Sequence, residues 1–179
     1  ADRGLCGGFN SNLTKAAQNF LLKHQGQEVR LFTAGKKGRD FFRRRNANLA
    51  GEYTNFFSKL DVAHAKDIAQ LLIEMYAKAE TDAVYVAYNE FKSAIQQRIV
   101  VEKLLPIGAA DLTEGPSGVD YIFEQPPQDI LNRLLPRYVE IEIYRALLES
   151  AAAEHGARMA AMDTATRNAG EMIESLTLN

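Results

Sequence analysis

At 179 residues, 46% hydrophobic and 25% charged, the chain has the size and make-up of one globular domain with its own core. Its formal charge of −2 gives no global attraction for nucleic acid or acidic lipid, so any contact with a polyanion must come from a local patch. The single cysteine excludes an internal disulfide and a cysteine-based zinc cluster and fits a reducing compartment, while no apolar run approaches the ~20 residues that cross a bilayer.

In chain order, Leu13, Ala16, Ala17, Phe20 and Leu21 recur at helical spacing, with Asn10 or Ser11 expected as N-cap and Gly26 as the stop. Val29 to Thr33 reads as a short buried strand. Gly35 and Gly38 bracket a turn into a short basic helix through Phe41 and Phe42, and Leu49 to Thr54 is a weaker strand. A second long helix is expected from about Asp61 to Ala79, its apolar stripe formed by Ala65, Ile68, Leu72, Met75, Tyr76 and Ala79. Strands follow at Asp82 to Tyr88 and at Arg98 to Leu105, closed by Pro106. Ile107 to Val119, with Gly108, Gly115, Pro116 and Gly118, reads as loop, and Tyr121 to Glu124 as a last short strand. Helices and strands alternate over the first two-thirds, which points to a layered α/β domain with a mostly parallel sheet.

Pro126 and Pro127 open a terminal helix, since proline suits a first turn. Leu134, Ile141, Leu148, His155, Met162, Ala169 and Leu176 fall at every seventh residue, and Tyr138, Tyr144, Ala151, Ala152, Met159, Ala165, Met172 and Ile173 form a second line. Such a repeat keeps one seam facing a partner helix. About 40 residues make a rod of roughly 60 Å, against the roughly 30–35 Å breadth of a compact domain of this size. Part of the rod is therefore expected to project. Packing on the chain's own sheet is the alternative for the apolar face. Pro136 removes one hydrogen bond, so a kink or break is expected there.

The turn DRGLCGGFNSNL, Asp2 to Leu13, runs directly into the first helix. A glycine-rich turn of this kind can cradle a phosphate on free backbone N–H groups, and a Rossmann-like phosphate- or nucleotide-binding enzyme using Gly4 to Gly8 is the alternative functional reading. Yet Gly4, Gly7 and Gly8 match neither the dinucleotide nor the P-loop spacing. Cys6, placed before a helix, lacks a local base: His24, His64 and His155 all lie in predicted helices. The plainer reading of Cys6 is a small residue in a tight turn. For Arg43, Arg44 and Arg45 it is a solvated helix face, with lipid head groups as the alternative.

The same turn closely resembles the opening of the first helix in the α/β domain of γ subunits of rotary F-type ATP synthases. GKKGRDFFRRR (Gly35 to Arg45), QDILNRLLPRYVE (Gln128 to Glu140) and Leu134 to Asn179 resemble that family in the same order, most specifically at EHGARMAAMDTATRNA, Glu154 to Ala169. The resemblance implies a Rossmann-like layered α/β domain over residues 1–125. It further implies a stalk helix over 126–179, forming half of an antiparallel coiled coil with an N-terminal helix. By the same resemblance that helix, a first sheet strand and the helix tip belong to a longer polypeptide of which this is a piece. The implied role is a non-catalytic rotor subunit that passes torque between an ion-translocating ring and a catalytic head.

The resemblance carries residues over as well. Asp2, Arg3, Gly4, Leu5, Cys6 and Gly7 match the contact with an acidic loop of the catalytic subunit, Arg3 as the charged member and Cys6 as a packed bystander. Arg137, Tyr138 and Glu140 match the foot near the membrane c ring and the ε subunit, with Pro136 standing where a second basic residue is common. Leu148, His155, Met159, Met162, Ala169, Ile173 and Leu176 form the coiled-coil seam. The implied partners are the α and β subunits of the head, ε and the c ring, with no cofactor, nucleic acid or directly bound nucleotide. The implied location is peripheral, on the cytoplasmic face of a bacterial inner membrane.

Overall fold

The computed structural model describes residues 1–94, 96–108 and 126–177. The expected strand at Tyr121 to Glu124 and most of the loop before it lie outside the described residues. The chain forms α1 (Phe9–Lys23), β1 (Leu31–Ala34), α2 (Lys36–Arg43), β2 (Leu49–Tyr53), a single 3-10 turn, α3 (Val62–Ala77), β3 (Val84–Phe91), β4 (Gln97–Leu105) and α4 (Pro127–Thr177). Both the α/β class and the long C-terminal helix are present. Among the described residues parallel pairing is confined to β1 and β2, while β3 and β4 pair as an antiparallel hairpin.

The chain divides into two compact units. Residues 1–60, 87–100 and 148–179 make the first, and 61–86 with 101–147 the second, so that β3, β4 and α4 each pass from one unit into the other.

In the first unit, α1 begins at Phe9 rather than beside an Asn10 or Ser11 cap. Gly8 occupies the N-cap without a side-chain bond. Asn10 instead donates to the Cys6 sulfur (3.0 Å) and the Arg3 carbonyl (3.4 Å), and Ser11 Oγ donates back to the Gly8 carbonyl. The helix starts early because Phe9 is buried and Gly7, at φ +52°, makes the turn ahead of it. It ends at Lys23, before Gly26; His24 Nδ1 lies 2.8 Å from the Phe20 carbonyl.

Two residues at the head of the chain satisfy the start of α2. The Ala1 carbonyl accepts from Lys37 N–H (2.9 Å) and Asp2 Oδ1 from Lys36 N–H (3.0 Å), supplying acceptors to orphan donors of that helix. Gly35, at φ +104°, permits this approach, because a Cβ there would lie 2.8 Å from the Ala1 backbone. Behind them β1 pairs with β2 in parallel, Phe32 opposite Gly51. Any side chain at Gly51 would meet the Phe32 ring at 2.5 Å.

In the second unit, Asp61 caps α3 through a capping box: its carboxylate accepts from Ala63 N–H, and His64 Nδ1 accepts from Asp61 N–H, each at 3.2 Å. Ala65, Ile68 and Ala69 of α3 are buried, as are Val84, Leu104 and Leu105 of the strands and Val139, Ile143, Ala146 and Leu147 of α4. These apolar groups form the interior of that unit. The helix α4 runs through Pro136 as one element of 51 residues, so of the kink or break expected there no break occurs. Its nominal length is about 75 Å.

Where α4 lies in the first unit, Gly156 lets the helix backbone come close to the hairpin end. A Cβ there would sit 3.1 Å from both the Ala94 Cα and the Phe91 ring. Two α4 side chains also bond the edge of β3: Glu149 accepts from Phe91 N–H (2.7 Å) and Ser150 Oγ from Asn89 N–H (3.3 Å). The Gly156→Val substitution is expected to destabilise the chain by about 2 kcal/mol, because a backbone atom must move to admit it. Urea unfolding with an unchanged midpoint would show that the hairpin does not press on α4.

Candidate partner-binding surfaces

The residues carried over as a catalytic-subunit contact divide between inward and outward roles. Asp2 is engaged with α2, and Cys6 is buried in a cluster with Ala1, Phe9 and Ala153, against which Ala157 packs. Arg3, Leu5 and Gly7 are exposed. Leu5 is the conspicuous member: 75% exposed, apolar, and held at φ +60°, where L side chains are strained. A bulky apolar residue kept in water on a strained turn is poorly explained by packing. For the alternative phosphate cradle, the Phe9 N–H is already donated to the Cys6 carbonyl (3.1 Å).

The turn is tied to α4 by a pair that sequence reasoning missed. Glu154, buried, accepts from Arg158 one helical turn on, and Arg158 Nη2 also lies 3.5 Å from the Gly4 carbonyl. The signal was available as a Glu/Arg pair at four-residue spacing, which normally marks a solvated helix face. Here the surrounding burial makes it a strut between turn and helix.

Around α4 the buried stripe differs from the second line read in the sequence, of which Tyr138, Tyr144 and Ala151 are half-buried and Ala152, Met159, Ala165, Met172 and Ile173 exposed. Val139, Ile143, Ala146, Leu147 and Ala153 are buried, with Ser150 and Ala157 on the same stripe half-buried. The seven-residue line lies roughly opposite, by the 100° step of an α-helix. On it Leu134, Ile141, Leu148, His155, Met162, Ala169 and Leu176 are all exposed, and Met159 and Ile173 beside it are more than 60% exposed. Packing on its own domain and offering a second face are therefore both properties of this helix, carried on different stripes. From Met162 to Thr177 every residue is exposed, so nothing among the described residues packs on the last four turns.

The residues assigned to the foot lie in the second unit. Arg137 is exposed, Tyr138 and Glu140 half-buried. Tyr138 lines an open cleft of about 410 Å³ beside Glu102, Glu142 and Arg145, where Arg145 bridges Glu142 (2.8 Å) and Glu102 (3.3 Å).

The fold and these surfaces define an α/β module carrying a long helix with one apolar line exposed along it. A sequence profile of the ATP synthase family matches residues 1–179, and the chain belongs to that family, among the γ chains. It is 51% identical over 177 residues to the ATP synthase gamma chain of Solibacter usitatus, covering 99% of this chain and 61% of that one. It is 47% identical to that of Pelotomaculum thermopropionicum, covering 100% of this chain and 63% of the relative. The chain thus spans somewhat over three-fifths of the length of these relatives. The fold is shared with the central stalk and c-ring structure of the Tetrahymena thermophila mitochondrial ATP synthase, with a TM-score of 0.70 at 24% identity over 93% of this chain and 73% of that one. The rotor of the Euglena gracilis mitochondrial enzyme gives 0.67 at 17% identity, over 97% of this chain and 66% of that one.

Two outcomes are expected from these contacts. Arg158→Ala leaves the Glu154 carboxylate buried without its partner and lowers stability by about 2 kcal/mol, read by chemical denaturation. Leu5→Gly removes the left-handed strain and raises or preserves stability, by about 0.5 kcal/mol at most, because the unfolded-chain entropy of glycine offsets part of the relief.

Proposed function

We propose that this chain is the foot and lower shaft of a rotor subunit, passing torque between an ion-translocating membrane ring and a catalytic head. The observation that carries the reading is the uncovered apolar line along α4. A helix that already buries one stripe in its own domain, and holds a second in water for six heptads, is built for a helix-on-helix contact. In this reading the missing partner is the N-terminal helix of the same polypeptide, paired antiparallel. Residues 1–125 then act as the α/β foot, and 126–179 as the lower part of the shaft.

The turn with exposed Arg3 and Leu5 suits a contact with an acidic loop of the catalytic subunit, with Arg3 for the charge and Leu5 for apolar grip. Asp2 and Cys6 support that turn from inside rather than meeting the partner. Arg137, Tyr138 and Glu140 suit the polar loops of the c ring and the ε subunit. The subunit does no chemistry itself; its role is to make different contacts with each catalytic site as it turns. No helix among the described residues is long and apolar enough to cross a membrane. With bacterial relatives, that is consistent with peripheral attachment at the cytoplasmic face of a bacterial inner membrane.

The seam is tested by Met159→Lys and Met162→Lys. Both side chains are exposed here, so each variant of this chain should unfold within about 0.5 kcal/mol of the parent. In the full-length subunit each should lower the yield of complex recovered with the catalytic-head subunits, because a lysine then faces the partner helix. Equal recovery of parent and variants would rule the shaft reading out.

A further inference from the structure

We propose that the groove between α1 and α2 is a docking site for an extended acidic segment of a partner protein. The groove has a volume of about 430 Å³ and lies wholly within the first unit. Lys15, Lys37, Arg44 and Arg45 line it, against a single carboxylate, Asp40. That carboxylate is already held by Arg39, at 2.8 and 2.9 Å. Four cations thus share one concave face of a chain whose overall formal charge is −2. Among the described residues Lys15, Lys37 and Arg44 have no ion pair or side-chain hydrogen bond. Mutual repulsion of these groups is relieved when an anion enters.

The site is also shaped. Arg45 stacks on the Phe41 ring at 3.7 Å and bonds the Phe41 carbonyl, which fixes its guanidinium over the groove instead of leaving it to swing in water. The arginine cluster is therefore more than a solvated helix face, although Arg43 does point elsewhere, to Glu52. The Asp40 carboxyl is held below the usual carboxylate range, first by its Arg39 hydrogen bond and then by the charges of Arg39, Arg44 and Lys37, as a positive local field requires.

The dimensions select the ligand. On α1 the lining runs from Asn10 to Gln18, a little over two turns or roughly 12 Å. An extended peptide covers that distance in about four residues. Two or three neighbouring aspartate or glutamate side chains would then reach the four cations. The groove adjoins the turn, since Lys37 Cε lies 3.9 Å from the position a Gly4 Cβ would take. It is nonetheless a separate surface, and its function does not require the turn to meet the catalytic subunit.

The test is fluorescence anisotropy on the full chain with a labelled octapeptide of aspartate and glutamate, set against its asparagine/glutamine counterpart. The acidic peptide should bind saturably and more weakly as salt rises, and the neutral one should not bind. Lys37→Glu with Arg44→Glu should weaken binding at least about tenfold, while Lys59→Glu with Lys66→Glu, the same charge change at exposed positions elsewhere, should stay within about twofold. Lys37→Gln with Arg44→Gln, which neutralises without reversing charge, should give an intermediate loss with an unchanged melting curve. Equal losses in the two reversal pairs would overturn the proposal, as they would show attraction to net charge alone. So would an absence of saturable peptide binding. Binding to phosphatidylglycerol vesicles or to a nucleic-acid oligomer without binding of the peptide would overturn it as well.

Discussion

The first unit depends on how closely the N-terminal turn approaches α4. Cys6 and Phe9 come down on Ala153 and Ala157, positions where a larger side chain would hold the two backbones apart. Small residues here are a condition of contact, as Gly156 is for the hairpin end and Gly35 for the first residues of the chain. Once that approach is made, Arg158 can reach the Gly4 carbonyl and Asp2 can reach the start of α2. The exposed turn is thereby held from two sides, by a helix on one and a helix N-terminus on the other. The strained Leu5 conformation has the surrounding support that such strain requires.

The helix α4 shows how two periodicities coexist on one element. Its buried stripe follows the chain's own packing, while the exposed line keeps a strict seven-residue step. On a straight α-helix a seven-residue line drifts by about 20° per heptad, so the two lines cannot remain at a fixed angle over six heptads. A partner following the exposed line must wind with a left-handed twist. The exposure of every residue from Met162 to Thr177 among the described residues leaves room for that winding.

Much of this was legible in the sequence because apolar spacing and glycine placement are local signals. The helices, the strands of the first hundred residues and the terminal rod all appear near their expected positions. What was less legible depended on tertiary competition. Asn10 looked like a cap, but its amide is drawn to Cys6 and Arg3, so the helix begins at Phe9. Pro136 looked like a breaker, yet burial of Val139 and Ile143 just beyond it holds the helix through one missing hydrogen bond. The turn was legible in part: Cys6 read as a packed residue and Arg3 as the charged one, and burial agrees, but the engagement of Asp2 with α2 and the exposure of Leu5 were not legible. The basic groove was equally hidden. Lys15 and Arg44 are 29 residues apart and become neighbours only when α1 and α2 pack.

The bare end of α4 has a mechanical consequence. Among the described residues its last four turns are all exposed, with side-chain pairs along the helix such as Asp163–Arg167. A single helix of that length is marginal in water. Rigidity in this stretch would therefore have to come from a second helix laid along it. On the proposed shaft reading, the rod would be stiff where a partner sheathes it and compliant where it is bare, so the length able to bear a twisting load would be set by how far that partner extends.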